Sequence, residues 1–157
     1  MCIRVFVYEA NARMEPLIRD TFRLNAVDPA LHICMVGADA GTATFHVTSL
    51  FLSSSTVPGV PHSEAVTVPV VSLRNGLERL RPTVLIVDIE GGDYQLFRDF
   101  APNACRLIRL ELHPGVMGEL CANQILHWIE ALGFRLTATA ENSCLYQRVA
   151  EPNPRAA

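Results

Sequence analysis

The chain has 157 residues, of which 50% are hydrophobic and 18% are charged. This length and composition predict a globular protein with a sizeable core rather than a disordered polypeptide. The net charge is −3, and the 13 basic residues, all arginine, are scattered along the chain, which argues against nucleic acid as the main partner. The five cysteines are widely spaced, as in reduced cytoplasmic proteins. Since no apolar stretch reaches the roughly 20 residues of a membrane span, we expect a cytoplasmic protein with no membrane partner.

The hydrophobic pattern predicts strands that alternate with helices. The expected strands cover residues 2–8, 31–36, 42–47, 66–71, 84–88, 107–112, 134–139 and 144–149, and the expected helices cover residues 14–22, 73–80, 95–100 and 121–132. Asn11 or a neighbour is expected to cap the first helix, and residues 49–63 have the composition of a loop. This order predicts an α/β fold with a mostly parallel sheet and an antiparallel C-terminal hairpin. We expect residues 1–150 to form a single domain and residues 151–157 a flexible tail.

The segment of residues 83–93 is the most informative part of the sequence. Its continuous apolar run predicts a buried parallel strand, which ends at Asp88 and is followed by Glu90. Ligands of open α/β sheets bind at the carboxyl ends of the strands. The two carboxylates could orient or deprotonate a hydroxyl group of a substrate, and a divalent ion could bridge them to the substrate. The structural alternative is that Asp88 caps the next turn and Glu90 pairs with an arginine.

A second pair of polar residues closes the next predicted strand. Glu111 and His113 alternate at this strand end, so the neighbouring strands would bring four polar side chains to one rim of the sheet. Histidine is a natural general base near neutral pH. His113 is therefore a candidate catalytic residue, and the alternative is a plain loop residue before Pro114.

Several short motifs also follow one another in a characteristic order. They are Val7-Tyr8-Glu9-Ala10-Asn11, Asn25-Ala26-Val27, Gly41-Thr42-Ala43-Thr44-Phe45, Val70-Val71-Ser72-Leu73, Val87-Asp88-Ile89-Glu90-Gly91-Gly92-Asp93, Ile108-Arg109-Leu110-Glu111-Leu112-His113 and Leu132-Gly133-Phe134. Over residues 5–136 the chain resembles the C-terminal two thirds of FkbM-type S-adenosylmethionine-dependent methyltransferases. The resemblance implies a Rossmann-like class I methyltransferase sheet and methyl transfer from S-adenosylmethionine to a hydroxyl of a sugar or secondary metabolite.

The resemblance also implies roles for individual residues. Glu9 and Asn11 would bind the cofactor, with the Glu9 carboxylate on the ribose hydroxyls, and Asp39 would face the adenine. Asp88, Glu90 and His113 would lie near the transferred methyl group. A solvated acid at a strand end and a turn-forming aspartate are the structural alternatives for Glu9 and Asp39.

The sequence departs from the family at two places. Members have a first strand and a glycine-rich cofactor turn before the Glu9 motif, so we expect a sheet that lacks its usual first strand. Gly37 and Gly41 do not replace that turn, because a strand rather than a helix is predicted after them. In addition, Ile86 stands where the family commonly has lysine.

Two alternative functions remain open. The missing first strand favours a non-catalytic interaction module that is completed by a partner subunit or by strand exchange in a homo-oligomer. The polar rim could instead belong to a metal-dependent hydrolase whose acidic site is formed by Asp88, Glu90, Glu111 and His113, although the sequence contains no close His-x-x-x-His or Asp-x-Asp pair.

Overall fold

The computed structural model describes residues 3–48, 63–89 and 93–149. It divides the chain into two compact units, Met1–Leu73 and Arg74–Ala157. The tail predicted at residues 151–157 and most of the loop predicted at residues 49–63 lie outside the described residues. No helix of the described part is long and apolar enough to cross a membrane.

The first unit combines one α-helix with five strands in its described part. The strands are β1 (Phe6–Glu9), β2 (Ala30–Ile33), β3 (Met35–Gly37), β4 (Gly41–Thr48) and β5 (Ser63–Ser72), and the helix is α1 (Glu15–Leu24). A short 3₁₀ turn, Ala12–Met14, precedes α1, and the Asn11 side chain caps it by accepting a hydrogen bond from Arg13 N. Asn11 thus caps the turn before the helix and not α1 itself, which follows Met14 without a side-chain cap bond. Pro16 lies in the first turn of α1, where its missing N–H is tolerated.

The strands of the first unit form two sheets. β1 pairs with β2 in parallel, while β5 pairs in parallel with β3 and antiparallel with β4. Three side chains on β4 and β5 are buried together and form a small core: Phe45, Val47 and Val68. Gly37 is required on β3 because an added Cβ would lie 2.6 Å from Val70 Cγ1. The glycines at 37 and 41 thus belong to a strand-to-strand connection and not to a turn that opens a helix.

The second unit has four strands and four helices in its described part. The helices are α2 (Leu73–Leu80, whose first residue falls at the unit boundary), α3 (Asp93–Arg98), α4 (Pro114–Met117) and α5 (Glu119–Ala131), and the strands are β6 (Val84–Asp88), β7 (Leu107–Glu111), β8 (Phe134–Ala140) and β9 (Ser143–Arg148). Gly133 follows α5 with φ of 83°, the left-handed conformation that commonly ends a helix and favours glycine. The helix predicted at residues 121–132 therefore ends where the sequence indicated.

The four strands of the second unit form one sheet in the order β6-β7-β9-β8. β6 and β7 are parallel, whereas β9 is antiparallel to both β7 and β8. One face is buried: Ile108 and Leu110 of β7 have no exposed surface, and Tyr146 of β9 is almost fully covered. Because neighbouring residues in a strand point to opposite faces, Arg109 and Glu111 point away from this core.

The mixed α/β class and the antiparallel C-terminal hairpin are confirmed, with three differences in detail. The strand predicted at residues 31–36 is divided at Cys34, because its first half pairs with β1 and its second half with β5. The antiparallel β4–β5 pairing was not foreseen, and it makes the described pairings less parallel than expected. Helix α4 was also missed. The Rossmann-like arrangement without its first strand and the single domain of residues 1–150 remain predictions.

Candidate functional site

The carboxyl ends of β6 and β7 carry the first two residues of a polar cluster. The parallel register pairs Asp88 directly with Glu111. β6 is apolar up to Asp88, but none of its residues is fully buried, so the prediction of a buried strand was wrong; β7 carries the partly exposed Arg109 before Glu111. The Asp88 side chain is 58% exposed and the Glu111 side chain 31%, which leaves both accessible to a ligand.

His113 joins the two carboxylates from the start of the next helix. It lies two residues beyond Glu111 and immediately precedes α4, and its carbonyl accepts hydrogen bonds from the amides of Val116 and Met117. Its Nε2 is 3.9 Å from Asp88 Oδ1, which is longer than a hydrogen bond. One ligand atom from each of Asp88, Glu111 and His113 lies within 4.8 Å of the other two. The structure therefore brings together three of the four polar residues predicted at this rim.

The fourth residue of the predicted rim, Glu90, lies outside the described residues. Its assignment as a catalytic residue stays a prediction. Ile86, the other unusual position of this segment, is 65% exposed and lies on the same side of β6 as Asp88. An apolar side chain thus faces outward beside the cluster.

Two residues that the sequence did not single out hold Glu111 in place. Ser143 of β9, the register partner of Glu111, donates a hydrogen bond of 3.1 Å to Glu111 Oε2. Arg109 Nη2 donates to Ser143 Oγ at 3.0 Å and lies 3.4 Å from the same carboxylate oxygen. The alternation of Arg109 with Glu111 along β7 could have indicated this ion pair, whereas the role of Ser143 depends on the strand register.

In the first unit, the end of β1 places Glu9 and Asn11 in direct contact. Glu9 Oε1 accepts a hydrogen bond of 2.7 Å from the main-chain N–H of Asn11. The Asn11 side chain is buried, with 2% of its surface exposed, and its Oδ1 accepts from Arg13 N at 3.1 Å. Its Nδ2 has no hydrogen-bond partner among the described residues. A buried donor without an acceptor costs about 1–3 kcal/mol, so the acceptor for this side-chain amide has to come from outside the described residues.

Asp39 makes no described contact with Glu9 or Asn11. It is exposed in the connection between β3 and β4. No hydrogen bond or ion pair of the described residues joins it to Glu9 or Asn11. Its predicted contact with adenine stays a prediction.

The comparison with protein families assigns the chain. Residues 4–136 match the Methyltransferase FkbM domain, which is most of the chain and includes both polar groups described above. The chain belongs to the FkbM methyltransferase family. The resemblance found in the sequence is therefore confirmed, and membership indicates a methyltransferase that uses a methyl donor. No curated protein and no solved structure matches the chain significantly.

The residues of the first unit fit the donor that such methyltransferases typically use, S-adenosylmethionine. A ribose presents two adjacent hydroxyl groups, which donate to a carboxylate and accept from an amide. Glu9 supplies the carboxylate, and only its Oε1 has a hydrogen-bond partner among the described residues. Asn11 supplies a buried side-chain amide that has no partner among the described residues. The FkbM methyltransferase chain thus has both kinds of group that a ribose requires.

Proposed function

We propose that this protein is an S-adenosylmethionine-dependent methyltransferase that methylates a hydroxyl oxygen of a small molecule such as a sugar or secondary metabolite. The cluster of Asp88, Glu111 and His113 is the observation that favours an oxygen atom as the methyl acceptor. Two carboxylates and an imidazole accept hydrogen bonds and protons, which is what a hydroxyl acceptor needs in order to become a nucleophile.

In this proposal Glu9 and Asn11 hold the cofactor. Glu9 Oε2, which has no partner among the described residues, accepts from a ribose hydroxyl, and Asn11 Nδ2 donates to a ribose oxygen. S-adenosylmethionine, when bound, supplies a methyl group on a positively charged sulfur. Asp39 is proposed to contact the adenine from the exposed connection before β4.

Asp88 and His113 act on the acceptor. They contact its hydroxyl group, fix the direction of the oxygen lone pair, and promote loss of the hydroxyl proton as the new carbon–oxygen bond forms. Glu111, held by Ser143 and Arg109, completes the polar surface around the hydroxyl. Orientation of two bound reactants can supply much of the rate of a methyl transfer, so these contacts matter even where little proton transfer is needed.

Calorimetric titration with S-adenosylmethionine and S-adenosylhomocysteine tests the cofactor part. We expect micromolar binding by the purified chain and a loss of about tenfold or more in Glu9→Gln, since a hydrogen bond to a charged group contributes about 1.5–3 kcal/mol. Glu15→Gln is the matched control, because Glu15 pairs with Arg19 on the same unit and has no assigned contact with the cofactor. No binding by a correctly folded chain would favour the non-catalytic interaction module.

Turnover tests the acceptor part once cofactor binding is established. With an acceptor that the protein methylates, Asp88→Asn is expected to lower kcat while the affinity for S-adenosylhomocysteine stays unchanged. Full turnover in both Asp88→Asn and Glu90→Gln would show that these acids are structural.

A further inference from the structure

The cluster at the ends of β6 and β7 has the geometry of a cation site. Asp88, Glu111 and His113 come from two neighbouring strand ends and the start of α4, and their ligand atoms lie within 4.8 Å of one another. Three groups at such separations can reach a common central ion after small side-chain rotations. Because the three residues are held by different elements, their approach is fixed by the fold and not by one flexible segment.

The charges and donor atoms of the cluster favour a divalent ion. Two carboxylates face each other, and the one positive group that contacts them among the described residues is Arg109, at 3.4 Å from Glu111. Carboxylate oxygens suit Mg²⁺ and Mn²⁺, and an imidazole nitrogen shifts the preference towards a transition metal. Three protein ligands also leave several coordination positions of an octahedral ion open.

The state of His113 is a separate observation that points to a ligand. Its side chain is 19% exposed, and its Nδ1 is buried without a hydrogen-bond partner among the described residues. Its Nε2 is too far from Asp88 for a direct hydrogen bond at 3.9 Å. The buried Nδ1 thus lacks the partner that buried polar atoms nearly always have, and Nε2 is the ring nitrogen that lies towards Asp88.

The surroundings of Glu111 match those of a metal ligand. Ser143 donates to its Oε2 and is itself bonded to Arg109. Such outer partners commonly orient ligating carboxylates and leave the other oxygen free. Within the described residues, no hydrogen bond is made by Glu111 Oε1.

We propose that Asp88, Glu111 and His113 bind one divalent cation of the Mn²⁺ or Mg²⁺ class. The role of this cation rests on the proposed function: its open positions would bind the acceptor hydroxyl and lower the pKa of that hydroxyl, and the proton would pass to water. With the cation bound, Asp88 and His113 would act on the hydroxyl through the cation and not by direct contact.

Titration of the metal-free full chain with MnCl₂, followed by the electron paramagnetic resonance signal of free Mn²⁺, tests the site without any activity assay. We expect one site, with affinity reduced about tenfold or more in Asp88→Asn and in His113→Asn. Asp99→Asn is the matched control, since Asp99 is exposed in the same unit and pairs with Arg74 instead. Circular dichroism and urea midpoints establish that each variant is folded.

Two results would overturn the inference: no Mn²⁺ binding at millimolar concentration, or equal binding by Asp88→Asn, His113→Asn and Asp99→Asn. If the cluster variants do not fold, paramagnetic broadening of wild-type NMR signals decides the matter. Broadening of the His113 ring signals before others supports the site, and broadening elsewhere refutes it. Titration of the same samples with S-adenosylhomocysteine separates this inference from the proposed function, because cofactor binding without Mn²⁺ binding contradicts the cation site alone.

Discussion

Arg148, the last residue of β9, is expected to stabilise the second unit through contacts that the sequence did not predict. Its guanidinium donates to three backbone carbonyls: Cys105 O at 2.8 Å, Pro102 O at 2.9 Å and Leu132 O at 3.2 Å. It also lies 4.3 Å from the centre of the Phe134 ring. One side chain thus connects β9 to the turn before β7 and to the C-terminal end of α5.

The magnitude follows from these contacts. The bonds to Cys105 and Pro102 are partly buried, and each should contribute about 1–1.5 kcal/mol after allowance for solvent. The bond to Leu132 is exposed and contributes little, while the cation–π contact adds about 0.5–1 kcal/mol. Arg148→Met, which keeps the apolar stem, should therefore lower the free energy of unfolding by about 3 kcal/mol. Arg148→Lys should lose about half of that, because an ammonium group cannot reach the carbonyls with the same planar fork.

Urea unfolding followed by circular dichroism measures this effect as a shift in midpoint at constant slope. Arg135→Met, at an exposed position of the neighbouring strand β8, is the matched control and should change stability by less than about 0.5 kcal/mol. If Arg148→Met behaves like the control, the network does not stabilise the unit. If Arg148→Lys equals wild type, charge rather than the forked geometry is responsible.

Three further predictions concern glycine, an exposed strand and a buried phenol. Gly37→Ala should lower the free energy of unfolding by about 1–3 kcal/mol, because the new Cβ would lie 2.6 Å from Val70 Cγ1. Gly76→Ala inside α2, where a Cβ would meet nothing within 4 Å, should raise it by about 0.5–1 kcal/mol. Urea unfolding measures both changes, and a change in the same direction for both variants would contradict the packing argument. Ile86→Thr should reduce concentration-dependent self-association, measured by sedimentation velocity, since Ile86 is 65% exposed on a strand with one described neighbour. Unchanged association would show that the edge of the sheet at β6 is not the surface through which copies associate. Burial raises the pKa of Tyr146 from the ordinary tyrosine value of 10.0 to about 12, so the folded state favours the neutral phenol. The resulting contribution to stability is complete below pH 10.0 and is lost as the pH rises through about 12. Tyrosinate absorbance checks it, and titration of all tyrosines near pH 10 in the folded protein would refute it.

Local sequence signals were enough to place most strands and helices. Val84–Asp88 and Leu73–Leu80 begin and end where the apolar pattern and the helical spacing indicated. The predictions failed where pairing decided the outcome. Residues 31–36 read as one strand, yet Cys34 divides them because the two halves pair with different strands.

The sequence by itself determined the family, the alternation of strands and helices, and the polar residues at the strand ends, because these depend on residue order and short-range periodicity. It also predicted that Asp88, Glu111 and His113 share one rim, since parallel neighbours end at the same edge. Only the tertiary structure decided that Ser143 and Arg109 hold Glu111, and that Asn11 is buried with a donor that no described residue pairs. The contacts around Glu111 depend on the register between strands, and the burial of Asn11 depends on how its unit packs; both are set by long-range packing, which no local pattern records.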